Sequence, residues 1–242
     1  HNCARRANGT VWCWGYNAYG QMGDGTTTRR SSPVQVSGLT NTVELNSGAY
    51  PVCARKGDGT TWCWGINSSG SLGDGSTTPR NTPVRVQNDT GFVELSMAGQ
   101  HSCARKANGE VWCWGYNSFG EIGDGTTTRR LVPTRTSVIN DAIAIASPGY
   151  HASCALRANR TMWCWGHNGY GQIGDGSTTH RNQPTQVSGL TNVRHMAEGG
   201  GWRHNMATTM TGETYAWGYN NQGSLGLGNA ASQNYTTPCL LY

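Results

Sequence analysis

The sequence predicts an all-β chain: a β-propeller of about five visible four-stranded blades, each of ~50 residues. Three observations predict it. Trp-Gly pairs fall at Trp14, Trp64, Trp114, Trp165 and Trp217, in steps of 50, 50, 51 and 52 residues. Each copy holds short β-prone runs punctuated by Gly and Asn-Gly, and no stretch carries the apolar period of a helix. The 242 residues include 35 Gly, ten Trp and ten Tyr but only two Phe, a composition that weakens helices and suits strands and turns.

The third copy shows how each element is justified. Residues 92–96, Phe-Val-Glu-Leu-Ser, alternate apolar and polar as a half-buried strand does, and Ala98-Gly99 turns the chain. Residues 101–106 and 110–115 form a hairpin around Ala107-Asn108-Gly109, where Gly supplies the positive φ needed at the last position of a three-residue loop. A polar loop follows over 117–130. The fourth strand, 133–136, starts at Pro133, whose missing amide an edge strand tolerates. Repeats run at about 1–40, 41–91, 92–140, 141–191 and 192–242, read as one propeller domain. The expected total is 19 strands, because nothing before residue 41 corresponds to 42–46. The chain is therefore expected to be part of a longer chain or ring.

The hairpin register sets Cys103 opposite Cys113, Cys3 opposite Cys13, Cys53 opposite Cys63 and Cys154 opposite Cys164. Opposed Cβ atoms lie roughly 4.5–5.5 Å apart, close enough for a bridge after slight adjustment. In the fifth copy these positions are Met206 and Ala216, so both partners are lost together. Four disulfides are expected, and with them an extracellular or cell-surface setting. The pairs lack the close spacing of zinc sites, so no metal is expected. Cys239 is left over.

These residues resemble the regulator-of-chromosome-condensation repeat family. Its blade pattern maps onto Ala98-Gly99, His101-Ser102, Val111-Trp112, Trp114-Gly115-x-Asn117 and Gly120-Glu-Ile-Gly123. The resemblance implies a propeller, and the paired cysteines are similar to secreted, bacterial-style versions. The family usually closes with seven blades, whereas five are visible here, and Gly-Leu-Gly survives only at residues 226–228. The likeness extends to propeller-type β-lactamase inhibitor proteins, whose aromatic loops clasp an enzyme.

Several recurring side chains have structural readings. Asp24, Asp74, Asp124 and Asp175 each precede a Gly and a run of hydroxyl residues. One carboxylate per blade is thin for calcium, which wants six to eight oxygens, so each Asp is expected to accept amides of its own turn. His1, His101 and His204 occupy the family's histidine slot, where a structural imidazole is expected. Arg30, Arg80, Arg130 and Arg181, and likewise Arg5, Arg55 and Arg105, read as a solvated basic face. The Trp pairs are expected to pack between blades. No nucleophile–base set or paired carboxylates occur, so no enzyme activity and no cofactor are expected.

Recognition is expected where the copies differ, because variable loops on a rigid scaffold carry binding. The tips read Ala18-Tyr19, Ser68-Ser69, Ser118-Phe119, Gly169-Tyr170 and Asn221-Gln222. The turns before the first cysteine position supply the candidate binding residues Tyr50, His101, Tyr150, His151, Trp202 and Arg203. The expected role is a non-enzymatic scaffold for a protein partner. Carbohydrate binding or adhesion is the alternative, and a structural repeat of a cell-surface assembly is a third. Cys239 and an open blade edge offer routes to self-association. With 13 % charged residues and a net charge of +5, the basic excess is too dilute to argue for nucleic acid. No run approaches the ~20 apolar residues of a membrane helix.

Overall fold

A computed structural model describes residues 1–197, 203–228 and 234–241. All regular structure among them is β. The first copy contributes β1 (Asn2–Arg5), β2 (Val11–Gly15) and β3 (Arg30–Gln35). The second contributes β4 (Thr42–Ser47), β5 (Pro51–Lys56), β6 (Thr61–Gly65) and β7 (Arg80–Arg85). The third is β8 (Phe92–Met97), β9 (His101–Lys106), β10 (Val111–Gly115) and β11 (Arg130–Arg135). The fourth is β12 (Ala142–Ala146), β13 (Ala152–Arg157), β14 (Met162–Gly166) and β15 (Arg181–Gln186). The fifth is β16 (Val193–Met196), β17 (His204–Thr209), β18 (Thr214–Tyr219) and β19 (Asn234–Leu240). These 19 strands form one three-stranded and four four-stranded sheets, each in sequence order.

The hairpins close as their sequence demands. Gly9 N–H donates to Arg6 O while Arg6 N–H donates to Thr10 O, and Gly9 has φ 77°. Lys56, Gly59 and Thr60 repeat that geometry, as do Thr209, Gly212 and Glu213. The fourth copy puts Arg160 in the glycine position, at φ 64°. The resulting register pairs Cys3 with Cys13, Cys53 with Cys63, Cys154 with Cys164 and Met206 with Ala216. All four expected disulfides are present.

The fourth strands begin earlier than their prolines suggest. Cys164 pairs with Thr185, yet Gly166 already pairs with Arg181, so the strand bulges between these rungs and Pro184 lies in the bulge. Pro33, Pro83 and Pro238 occupy equivalent breaks in β3, β7 and β19. A missing amide is tolerated at a bulge on an outer strand, where no ladder bond needs it.

By internal contacts the chain divides into two compact units. The first comprises His1–Ala107, Trp112–Tyr116 and Arg129–Thr134, and the second Asn108–Val111, Asn117–Thr128 and Arg135–Tyr242. In the first, the Cys3–Cys13 side of one sheet packs on Trp62 and Trp64 of the next, together with Val11, Met22 and Val52. Cys53 and Cys63 lie likewise under Trp112, Trp114 and Phe92, whose ring stacks on Trp114 at 6.0 Å. In the second unit, Cys154 and Cys164 pack with Trp217 and Leu156. Each disulfide named here is therefore roofed by a tryptophan of the following copy.

The second tryptophan of the pair is also a polar tether. Trp64 Nε1 donates to Gln21 O at 2.9 Å, Trp114 to Ser71 O, Trp165 to Glu121 O and Trp217 to Gln172 O. A Cβ on Gly174 would lie 2.7 Å from Trp217 Nε1, and one on Gly123 equally close to Trp165 Nε1. In the first four copies the last glycine of the Gly-x-x-Gly run is thus needed for the indole of the next copy to reach it, whereas a Cβ on Gly226 would meet nothing within 4 Å.

Candidate functional site

The loop after each Trp-Gly pair is pinned by one buried asparagine. Asn17 Nδ2 donates to Thr26 O and Thr28 O, while its Oδ1 accepts from Met22 N–H. Asn67, Asn117 and Asn168 do the same. The recurring aspartates behave as their turns predict: Asp24, Asp74, Asp124 and Asp175 each accept the amide and hydroxyl two residues on. The basic ring requires correction. Arg30, Arg80 and Arg181 bind the aspartate of their own copy, and Arg55 and Arg105 bind Glu44 and Glu94. These guanidinium groups close loops and hairpins, so they do not form a uniformly solvated basic face. Burial pushes the Asp74 carboxyl up, but hydrogen bonds from Ser76 and Arg80 outweigh it and hold the pKa below its ordinary value.

This rigid frame presents a two-residue junction at four boundaries between copies. The residue just before the second strand occupies one slot. It is defined by its carbonyl, which faces the glycine of the Trp-Gly pair and is filled by Tyr50, Gln100, His151 and Arg203. The tip residue of the preceding copy occupies the other. In the first unit Tyr19 meets Tyr50 edge-on at 6.4 Å, and Ser69 Oγ donates to Gln100 Oε1 at 3.2 Å. In the second, Phe119 meets His151 at 5.5 Å, and the Arg203 guanidinium lies 4.4 Å over the Tyr170 ring.

The sequence-derived candidates fall unevenly on this geometry. Tyr50, His151 and Arg203 hold the slot, and Tyr150 packs beside His151 at 5.6 Å. His151 lies at the Tyr50 position because Pro51 and Ala152 both pair with the glycine of Trp-Gly. His101 is 0 % exposed and so contributes no surface for contact. Trp202 lies outside the described residues. Cys239 stands opposite Ala216, where other copies carry their second cysteine, and burial pushes its thiol pKa up.

The second unit carries a cleft of about 370 Å³ lined by Phe119, Tyr150, His151, His167, Tyr170, Gln172 and Arg203. Its side chains are held from beneath. Glu121 Oε2 accepts from Phe119 N–H and Oε1 lies 3.0 Å from His151 Nδ1, with the carboxylate fully buried. Tyr170 N–H donates to Gln172 Oε1, which turns the amide Nε2 toward His167 Nδ1 at 2.8 Å. That nitrogen is therefore bare and His167 carries its proton on Nε2. Burial lowers the His167 pKa to about 4, with His180 and His151 adding to the effect. Phe119 also packs edge-on against His167 and His180, both at 4.8 Å. Arg203 spans Tyr170 and Tyr219, whose rings are 5.1 Å apart.

The sequence reading missed His167, His180, Tyr219 and Gln172. A signal for two of them was available: the residue after Trp-Gly also varies, as Tyr16, Ile66, Tyr116, His167 and Tyr219. Among the described residues no group of three or more His, Cys, Asp or Glu is arranged to hold a metal ion. No helix among them is long and apolar enough to cross a membrane.

The family described as RCC1-like domain matches the chain over residues 1–242. The Arabidopsis thaliana ultraviolet-B receptor UVR8 is 31% identical over 96 residues, covering 40% of this chain and 22% of the receptor. Human Protein RCC2 is 36% identical over 77 residues, 32% of this chain and 15% of that protein. The chain thus spans less than a quarter of these relatives. Among solved structures, yeast RCC1 (Prp20) bound to Kap60 superposes with TM-score 0.85 at 19% identity, over 99% of this chain and 58% of that one. Human WBSCR16 gives TM-score 0.81 at 21% identity, over 97% and 63%. At such identities the likeness shows the fold, an RCC1-type β-propeller architecture.

Proposed function

The chain belongs to the RCC1-like domain family, and from that premise we propose that it is a non-enzymatic binding scaffold for a protein partner, working outside the cell. The observation that carries this reading is the junction series Tyr19/Tyr50, Ser69/Gln100, Phe119/His151 and Tyr170/Arg203. One backbone arrangement, repeated, presents four different side-chain pairs. Aromatic and arginine side chains concentrate contact energy at protein interfaces. Among the relatives, Prp20 is seen bound to Kap60 and has been characterised for binding Gsp1p and histones. The extracellular setting is supported by four disulfides, which persist in oxidising compartments. We read the five copies as one propeller domain.

The test immobilises the disulfide-intact chain against the extracellular fraction of its source. Wild type is expected to retain a protein that Tyr50→Ser combined with Tyr150→Ser releases, with the thermal midpoint held within a few degrees. Retention unchanged by the double substitution overturns the assignment of these turns. Retention abolished by deglycosylating the captured protein makes the ligand a glycan.

A further inference from the structure

We propose that the cleft of the second unit receives an acidic side chain, Asp or Glu, from an extended segment of the protein partner, with Arg203 taking the carboxylate. This rests on the protein-binding reading above and adds the chemistry of the contact. Of the residues lining the cleft, Arg203 is the one that always carries a charge. No described carboxylate pairs with it, a state it shares with Arg6, which lies over Trp12, but of these two only Arg203 lines the cleft. Tyr170 and Tyr219 instead hold its guanidinium through their faces. Ring contacts of this kind do not use up the N–H donors, and a guanidinium can offer two of them at once to a carboxylate.

The rest of the lining suits an anion with an apolar stem. Gln172 occupies His167 Nδ1, leaving Nε2–H as that ring's donor. Glu121, the carboxylate under the cleft, is buried and already engaged by His151 and the Phe119 amide, so its oxygens are not open to an occupant. Phe119, Tyr150 and Tyr170 supply apolar walls for the methylenes of the incoming side chain. The junctions of the first unit, Tyr19/Tyr50 and Ser69/Gln100, contain no cation. Acid recognition is therefore assigned to the second unit.

A library of random dodecapeptides displayed on phage and selected on the full chain tests this. Selected peptides that compete at the cleft, judged by loss of binding to Tyr170→Ala, are expected to share an Asp or Glu. Replacing that residue by Asn or Gln should weaken binding about tenfold or more, the range of a charge-assisted hydrogen-bonded pair. Against Arg203→Met the acid and amide peptides should bind alike, and Arg203→Lys should recover part of the difference. Cleft-dependent peptides without an acid preference overturn the inference but leave the protein-binding reading standing. An acid preference that persists in Arg203→Met overturns the role of Arg203. A selection with no Tyr170-dependent peptide removes the cleft as the docking place, and binding that moves to glycans removes both readings.

Discussion

The two units are built from the same repeated elements, but they differ at the surface. In the first, Tyr16, Tyr19 and Tyr50 form an edge-to-face run with no charged member, and the next junction is a serine–glutamine hydrogen bond. In the second, the same positions gather Phe119, His151, His167, Tyr170 and Arg203 around a cleft. Below these side chains little changes: the asparagine, the aspartate clip and the indole tether recur in both. The difference teaches that the scaffold is held by groups satisfied within the repeat array, so the junction positions can vary without loss of a core contact.

Three measurements sharpen or break that comparison, and the largest effect is expected beneath the surface. Trp217 is fully buried and donates to Gln172 O, so Trp217→Ala leaves a cavity and removes one of two hydrogen bonds to that carbonyl, the other coming from Asn205 Nδ2. It should lower unfolding free energy by about 3–5 kcal/mol in a denaturant titration. Tyr170→Ala, at a junction, should cost about 1 kcal/mol. Equal losses would mean that the junctions are part of the core.

A second expected difference lies in pH. His167 has its pKa lowered from 6.5 to about 4, mainly by burial, so the folded state binds fewer protons than the unfolded state in that window. Its contribution is complete above pH 6.5 and is lost as pH falls toward 4. Asp24, Asp74 and Asp175 are shifted below 3.8, so their contribution is present above that value and is lost only in more acidic solution. Thermal unfolding from pH 7 to 4 should show the decline in wild type and a flatter profile in His167→Asn. An unchanged profile would place the acid sensitivity elsewhere.

The smallest effect is expected at the one hairpin that departs from its siblings. Arg160 sits at φ 64°, where Gly9, Gly59 and Gly212 stand in other copies. A left-handed conformation costs a non-glycine residue roughly 1 kcal/mol, partly offset by the greater unfolded-state freedom of glycine. Arg160→Gly should therefore raise stability by about 0.5 kcal/mol, readable as an upward shift of the thermal midpoint. A downward shift would mean that the arginine side chain contributes more than its backbone costs.

Much of this was legible in the amino-acid order because the decisive interactions are local. A three-residue loop ending in glycine sets the register of its hairpin, and the register sets Cys154 against Cys164 ten positions away. An aspartate two residues before a hydroxyl closes its own turn. The period of the Trp-Gly pairs carried the architecture, since a four-stranded unit cannot bury its tryptophan face alone and must stack on a neighbour.

Other features depend on contacts between copies that lie 30 to 45 residues apart in the chain, and only the folded structure brings those residues together. Glu121 meets His151 across a separation of 30, and Trp217 reaches Gln172 across 45. Even within one copy, the pairing of Arg181 with Asp175 is not marked in the amino-acid order, because an exposed arginine and a paired one read alike in sequence. His151 stands one residue further from its cysteine than His101 does, and only strand pairing shows that this shift buries one and leaves the other lining the cleft. The sequence by itself determined the repeat, the hairpins and the disulfides, through turn geometry and period. The tertiary structure alone decided which variable side chains meet, because their pairing is set by how one copy docks on the next.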